Sequence, residues 1–444
     1  MKKKYYALNE AAILIDNYLY PRVLILNDIE AKAYPLTSTG VLILSLCDGM
    51  HCLEDIINIV AKKYNINKKI VKKDASMFLS NKQKETIVEV LEKQNLRKIE
   101  KRGKENIILP YQLSIETTNR CQLKCKHCYN KSGLPRKNEL TIDRWIEILS
   151  EYKNLGGTSV MLTGGEIFLK DEVEKLIEYV AKNFFRIVVL TNGYTLTDKM
   201  LELLVKYKDK LTVQISLDGM EQNHDENRGV TGAFEKTIQN ISQLVNKGLN
   251  VGIACTLNEK NIEDLSNLIK TVKEIGCFFI NIGVVSSIGR AEENDISAVE
   301  IISNLRTIIQ KMREKYADES FSVGESIEEF EDVEGELDTK FANKCGSGYK
   351  ILHIFSDGRI GLCPSHGSVI DDFTLGDVST SSLEEVLDYS NIGYVINIPN
   401  PSKKICGDCK LYAECAQCIV SMLNKSAKEC VIKRSLYEKR IISA

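Results

Sequence analysis

Residues 113–128 read Leu-Ser-Ile-Glu-Thr-Thr-Asn-Arg-Cys-Gln-Leu-Lys-Cys-Lys-His-Cys. Leu113 to Thr118 has the apolar character of a strand, and the segment behind it carries Cys121-x3-Cys125-x2-Cys128. A [4Fe-4S] cube takes one soft ligand per iron. Three thiolates on one short loop therefore hold three irons and leave the fourth open to another ligand. Such a vacancy separates a reactive cluster from one that only stores an electron.

Working outward, strands and helices alternate to about Val285. Leu113-Thr118, Ser159-Thr163, Arg186-Thr191, Leu211-Leu217, Val251-Thr256 and Phe278-Gly283 read as strands. Between the first two, Thr141 precedes a helix containing Trp145, Ile146, Ile148, Leu149 and Tyr152, and Gly156-Gly157 ends it. Six such repeats predict an α/β fold, a partial (β/α)6 TIM-like barrel or an open part of one. Chemistry in such barrels sits at the C-terminal ends of the strands, where the Cys121 loop lies.

Residues 1–105 form a separate segment. Ala12 to Ile15 and Val23 to Leu26 flank Asp16-Asn17 as a hairpin, and Lys32 to Leu36 is a third extended piece. Thr37 and Ser38 can cap a helix from Gly40 to Cys47 that stops at Asp48-Gly49. Leu53, Ile56, Ile57, Val60 and Tyr64 then share one helical face. Hairpin, strand and helices give a winged-helix order. Arg97 to Pro110 is charged, contains Gly103 and ends in proline, so it reads as a linker. The barrel is expected over 106–320. A third segment, 321–444, opens on the acidic stretch 325–338, read as a solvated connection, and continues as a cysteine-rich region whose short elements need metal to hold them.

The chain has 444 residues and fourteen cysteines. It shows no apolar N-terminal signal segment and no run approaching the roughly 20 residues that cross a bilayer. The expected location is the cytosol, with no membrane partner. In a reducing compartment this cysteine usage points to metal rather than disulfides. Cys47, Cys52, Cys255 and Cys277 stand alone and read as small buried hydrophobes. With 59 Lys and Arg against 61 Asp and Glu, there is no basic stripe of the kind nucleic acid requires.

The cysteine motif resembles the cluster signature of the radical S-adenosylmethionine superfamily, and further marks of that superfamily follow in order. Gly164-Gly165-Glu166 follows the second strand. Glycines let backbone approach a ligand closely, and by the resemblance Glu166 accepts from the methionine ammonium. Ser216 and Asp218 resemble the ribose-binding positions. Arg228, in His224-Asp225-Glu226-Asn227-Arg228-Gly229, could pair with the methionine carboxylate, since a guanidinium suits a carboxylate. His127 stands where the family places an aromatic residue near adenine. A zinc ligand is its competing reading, although zinc sites close at four ligands.

The C-terminal cysteines resemble a SPASM domain, which implies two auxiliary clusters and three [4Fe-4S] clusters in all. By family topology Cys406, Cys409, Cys415 and Cys430 close one auxiliary cluster, while Cys345, Cys363 and Cys418 hold the other without a fourth cysteine. Cys415 and Cys418 are separated by two residues, where the common pattern has three. The open position could take a substrate thiolate, a side chain such as His353 or His366, or water.

The first hundred residues resemble the leader-recognition domain of peptide maturases, similar to the chaperone of pyrroloquinoline quinone biosynthesis. Such a domain binds a leader as an added strand, here expected at Lys32 to Leu36. Within the group, Cys415-x2-Cys418-x11-Cys430 and Thr163-Gly164-Gly165-Glu166-Ile167-Phe168 look most like the subtilosin-type (sactipeptide) maturases. The resemblance implies S-adenosylmethionine as cofactor, a cysteine-containing precursor peptide bound through its leader, and a reductant such as flavodoxin or ferredoxin. The implied product is a thioether of sactipeptide or ranthipeptide type. Alternatives are carbon-carbon crosslinking or formylglycine formation on the same architecture and, in another class, a zinc-bound winged-helix regulator.

Overall fold

In the computed structural model the described residues are 3–26, 31–298, 301, 304–325, 342–368, 373–410, 412, 418–425 and 430–438. The chain divides into two compact units. The first comprises Met1–Leu109, Ser150–Gly157 and Leu387–Ser390, the second Pro110–Leu149, Thr158–Val386 and Asn391–Ala444.

The first unit begins with β1 (Tyr5–Leu8), β2 (Ala12–Asp16), β3 (Arg22–Leu26) and β4 (Ala31–Pro35). The β2-β3 hairpin is antiparallel, with Leu14 opposite Val23. Its turn is fixed by Asn17 Oδ1, which accepts from Tyr20 N at 2.6 Å. Helix α1 (Ser38–Ser45) starts where Thr37 Oγ1 accepts from Gly40 N. Asp48 and Gly49 do not merely stop it: they open β5 (Asp48–Cys52), which pairs with β1. The sequence reading has no β1 and so no partner for such a strand.

Helices α2 (Leu53–Tyr64) and α3 (Lys68–Lys84) follow. Ile56, Ile57, Val60 and Ala61 of α2 and Val71, Ala75 and Leu79 of α3 close on Leu14, Val23 and Leu44 in one core. Strand β6 (Val88–Leu91) completes the antiparallel order β5-β1-β6. The second sheet has the order β4-β3-β2-β7, with β4 at its edge. Strand β7 (Glu100–Gly103) lies inside the stretch expected to be a linker and runs parallel to β2. Its charged side chains sit on an edge, where solvent receives them, so charge alone does not mark a linker.

The second unit is built on one sheet. Its strands are β8 (Gln112–Glu116), β9 (Ser159–Thr163), β10 (Arg186–Thr191), β11 (Leu211–Ser216), β12 (Asn250–Leu257), β13 (Phe279–Val284), β14 (Ser322–Glu325), β15 (Ile351–Ile354), β16 (Arg359–Gly361) and β17 (Gly376–Asp377). They stand in the order β14-β13-β12-β11-β10-β9-β8-β15-β16-β17. From β14 to β15 every ladder is parallel; the last two are antiparallel. The six strands read from sequence are present and the parallel sheet extends beyond them, with β14 at one edge and β15 beside β8.

Helices α4 (Ile142–Asn154), α5 (Val173–Asn183), α6 (Asp198–Lys206), α7 (Glu221–Arg228), α8 (Ala233–Asn246) and α9 (Leu265–Ile275) connect the strands. Trp145, Ile148, Leu149 and Tyr152 of α4 are fully buried, and the five residues of β8 are all buried, as a parallel strand covered on both faces must be. Of the acidic stretch 325–338, residue 325 ends β14 and 326–338 lie outside the described residues. Among the described residues no helix is long and apolar enough to cross a membrane.

Gly103 tests the reassignment of 100–103. Its φ is +83°, and a Cβ there would lie 2.1 Å from the Asp16 carbonyl oxygen. Gly103→Ala is expected to destabilise the protein by about 1–3 kcal/mol, read as a lower unfolding midpoint in urea. A linker glycine would tolerate alanine.

Candidate functional site

Because β8 to β13 run parallel, the loops after their C-terminal ends gather at one end of the sheet. The loop after β8 carries Cys121, Cys125 and Cys128. It closes through Cys121 N to Gly133 O and Gly133 N to Asn119 O, both 3.0 Å. All three thiols are free of disulfides; Cys125 is buried and the others are half-buried. Arg228 Nη1 lies 3.5 Å from Cys125 Sγ, and Asn192 Nδ2 lies 3.9 Å from Cys121 Sγ. Burial, together with the charges of Cys125, Glu166 and Cys128, pushes the Cys121 thiol up to about 11 against the pull of the Leu123 N–H. A shared cation would hold such neighbouring sulfurs as thiolates. Three soft ligands within electrostatic reach of one another, with two N–H groups on their sulfurs, fit a cube bound by three cysteines. Among the described residues no three His, Cys, Asp or Glu side chains converge on a single ion.

Gly164 and Gly165 follow β9. A Cβ on Gly164 would lie 2.7 Å from Thr118 O, and one on Gly165 would lie 2.5 Å from Arg120 O. Both glycines therefore let this loop press onto the backbone leading into the cysteines, a reason for glycine additional to ligand approach. Glu166 is 1% exposed. Its Oε1 accepts from Thr191 Oγ1 at 2.8 Å and Phe168 N at 3.3 Å, and its Oε2 accepts from Asn192 N at 2.9 Å. Burial raises its pKa despite these donors. Thr191 Oγ1 also lies 3.0 Å from Oε2, so each carboxylate oxygen has two contacts.

Ser216 ends β11, half-buried. Asp218, Arg228 and His127 come together, with a different partnership from the expected one. Asp218 Oδ2 takes Arg228 Nη2 and His127 Nε2, the latter at 3.3 Å, and Oδ1 takes Thr256 N at 2.9 Å. Burial alone would raise the Asp218 carboxyl, but Arg228, His127 and His224 hold it below the ordinary carboxylate range. Burial likewise depresses His127. Its Nε2 faces a carboxylate, so Nε2 carries the proton, and Nδ1 is a buried acceptor without a partner among the described residues.

Two carboxylates that the sequence reading passed over, Glu116 buried and Glu139 half-buried, hold the loop from behind. Glu116, 2% exposed, takes Arg136 Nε at 2.9 Å, Ser356 Oγ at 2.7 Å and the Asn130 amide. Glu139 takes Asn119 N at 2.7 Å, Thr118 Oγ1 at 2.8 Å and Arg136 N at 3.0 Å. Only their flanking position, on either side of the cysteines, could have drawn attention. Arg290 was also passed over: it donates to Cys125 O at 2.8 Å.

In the C-terminal region Cys345, Cys363 and Cys418 lie within electrostatic reach of one another. Burial first, then the charge of Cys418, raises both Cys345 and Cys363. Cys406 ends the helix Lys403–Cys406, which packs on the helix Val431–Glu438 immediately after Cys430. Cys409 N bonds Cys406 O at 3.1 Å. Cys415 lies outside the described residues. His353 Nδ1 is 2.9 Å from Ser114 Oγ. His366 Nδ1 accepts from Leu362 N at 2.8 Å, so the proton of the neutral ring is on Nε2. Cys47, Cys52, Cys255 and Cys277 are buried, as expected of small hydrophobes.

Three family models match the chain. The radical SAM superfamily covers residues 115–272, coenzyme PQQ synthesis protein D (PqqD) residues 23–88, and the SPASM iron-sulfur cluster-binding domain residues 345–418. Sporulation killing factor maturation protein SkfB of Bacillus subtilis is 30% identical over 288 residues, 64% of this chain and 66% of SkfB. Antilisterial bacteriocin subtilosin biosynthesis protein AlbA of the same organism is 27% identical over 361 residues, 80% of this chain and 76% of AlbA. The crystal structure of Streptococcus suis SuiB bound to S-adenosylmethionine superposes with a TM-score of 0.65 at 17% identity, covering 96% of this chain and 98% of SuiB. It shares the fold. Radical SAM and SPASM domains imply [4Fe-4S] clusters and S-adenosylmethionine, and the thiol sets described above fit such clusters.

The Asp218–Arg228 pair gives a stability test. Removing one partner of a buried ion pair strands the other, at about 3–5 kcal/mol. Asp218→Ala is expected to lower the urea midpoint by a corresponding amount, and Asp218→Ala with Arg228→Met to recover part of the loss. Additive effects of the two changes would show that the groups act independently.

Proposed function

We propose, on the premise that this chain is a radical SAM protein carrying PqqD-type and SPASM domains, that it modifies a ribosomally made precursor peptide by joining its cysteine sulfurs to acceptor carbons. The observation that carries this reading is the SPASM-type thiol set Cys345, Cys363 and Cys418, three sulfurs within electrostatic reach of one another, to which the resemblance adds no fourth cysteine. Each of the histidines weighed as fourth ligands has one ring nitrogen engaged, and the buried Nε2 of His366 has no partner among the described residues. His353 Nδ1 faces Ser114, and His366 Nδ1 is taken by a backbone N–H. A cluster held by three thiolates keeps a place for a peptide thiolate, which binding would deprotonate and orient.

When bound, the Cys121/Cys125/Cys128 cluster with S-adenosylmethionine supplies a carbon radical able to take a hydrogen atom from an acceptor residue. This chain's residues hold and orient that pair. Cys121, Cys125 and Cys128 ligate the cluster. Gly164 and Gly165 bring the β9 loop against the cysteine loop, and Glu166 holds Thr191 and Asn192 in place. Ser216 and the Nδ1 of His127, which has no partner among the described residues, would be available to a nucleoside. Arg228 is held by Asp218 with one N–H on the Cys125 sulfur. It thus acts on the cluster side, and a contact to the methionine carboxylate would use its buried, unpartnered Nε.

Peptide capture is assigned to the first unit. Strand β4 is at the edge of its sheet and can add a leader as a further strand. SuiB has been crystallised bound to precursor peptide SuiA, which supports precursor-peptide binding here. Leader capture would raise the effective concentration of the core peptide and let several bridges form in turn. An auxiliary cluster held by the C-terminal cysteines would take up the surplus electron, and a reductant such as flavodoxin or ferredoxin would supply the electron for S-adenosylmethionine cleavage.

Anaerobic co-expression with the cysteine-containing peptide encoded beside the gene is expected to remove two hydrogens per cysteine and leave those cysteines resistant to alkylation, read by mass spectrometry. Loss of hydrogens with the cysteines still alkylatable would overturn thioether formation in favour of another crosslink. Deleting residues 1–100 should slow peptide processing at least about tenfold while uncoupled S-adenosylmethionine cleavage persists; equal processing would remove the leader-binding role.

A further inference from the structure

The segment after β13 reaches back to the cysteine loop and grips it. Gly289 has φ +63°, and a Cβ there would lie 2.3 Å from Tyr129 O and 2.6 Å from Cys128 O. Only glycine lets the two backbones approach so closely. The next residue, Arg290, donates from its backbone N–H to Cys128 O at 3.0 Å, from Nε to Cys125 O at 2.8 Å and from Nη1 to Ser132 O at 2.9 Å. Asn294 Nδ2 adds Lys126 O at 3.1 Å, and Glu293 takes Lys131 Nζ at 2.6 Å. Residues 289–294 thus hold the loop from Cys125 to Ser132.

The partners of Arg290 are unusual for a guanidinium. Arg228, which also reaches this loop, is neutralised by Asp218. The side-chain contacts of Arg290 go to carbonyl oxygens, and among the described residues no carboxylate pairs with it. A neutral donor could occupy the same geometry. A charge kept half-buried without a counterion costs free energy unless something beside it is negative. The group that the loop is built to carry supplies this: three thiolates on a [4Fe-4S] core carry a net charge of about −1, which becomes about −2 on one-electron reduction.

We propose that Arg290 is a positioning residue for the radical-generating centre, locking the cysteine loop through two carbonyls and supplying the fixed positive charge that favours the reduced cluster. The inference rests on Cys121, Cys125 and Cys128 being that centre's ligands. The electron comes from an external one-electron reductant; Arg290 itself gains and loses nothing.

The test is a potentiometric titration of the full-length, reconstituted protein, following the electron paramagnetic resonance signal that changes when S-adenosylmethionine is added. Arg290→Gln removes the charge and keeps an N–H donor. It is expected to leave about tenfold less reduced centre at a fixed potential, a shift of about 59 mV for a one-electron couple. Arg290→Lys keeps the charge without the fork and should stay within about threefold of wild type. A wild-type potential in Arg290→Gln, or an equal shift in both variants, overturns the proposal. If Arg290→Gln fails to hold iron at this site, Arg290→Lys decides: iron retained at a near-wild-type potential supports the charge role, and iron lost from both overturns it. A protein with Cys121, Cys125 and Cys128 all changed to Ala that kept the S-adenosylmethionine-responsive signal would refute the ligand assignment instead, whatever Arg290 does.

Discussion

The parallel direction of every ladder from β14 to β15 is the constraint on which the site depends. Parallel strands send each connection back along the sheet, so the loops after β8 to β13 emerge at one end. Residues as distant in sequence as Cys121, Glu166, Asn192, Asp218, Arg228 and Arg290 meet there without long loops of their own. The register that aligns Leu113 with Val160 and Ile187 with Val160 also aligns where those strands stop.

The cysteine loop presents a difficulty that apolar packing does not solve. Its three sulfurs have to stay uncommitted, and Leu123 is almost its only buried aliphatic side chain. It is held instead by charge-assisted hydrogen bonds, about twice as strong as neutral ones. Glu116 and Glu139 act from behind, Asp218 acts through Arg228, and Arg290 acts from the end of β13. Each of the three carboxylates accepts from at least two donors, the condition under which burying an anion is tolerable. Polar bonds are directional where apolar packing adapts, so the arrangement also fixes the loop's shape.

The legible parts of the fold follow from the same physics. The six strands β8 to β13 show in the sequence through apolar runs, as at Ile187-Val188-Val189-Leu190, or through alternation, as in β11, whose residues are buried and half-buried in turn; Ser159-Thr163 and Arg186-Thr191 coincide with the observed strands. Strand β7 is hidden by its Glu-Lys-Arg composition, which an edge tolerates, and β15 by its place among cysteines that draw the eye to metal. At the site, residues in short motifs are legible and their partnerships are not. Asp218 and Arg228 are picked out from sequence, yet each takes the other, because a buried carboxylate and guanidinium within reach pair before either is offered to a ligand. Glu116, Glu139 and Arg290 have no local pattern, since their partners lie up to 240 residues away, as with Glu116 and Ser356.

The C-terminal thiols extend the same logic. Cys345 and Cys363 flank the short β15-β16 hairpin, while Cys418 arrives from the start of a five-residue helix, Ile419–Leu423. Elements this short bury too little apolar area to fix one another, although Val420, Met422 and Leu423 are buried. The raised thiols of Cys345 and Cys363 mean that the metal-free protein holds these groups protonated and packed as small apolar residues. Binding iron therefore exchanges protons for metal as well as adding bonds, so assembly of this region is favoured as pH rises. The two cysteine sets thus differ in what surrounds them: the loop after β8 is fixed by carboxylates and guanidinium groups, while the C-terminal set depends on the cluster it would carry.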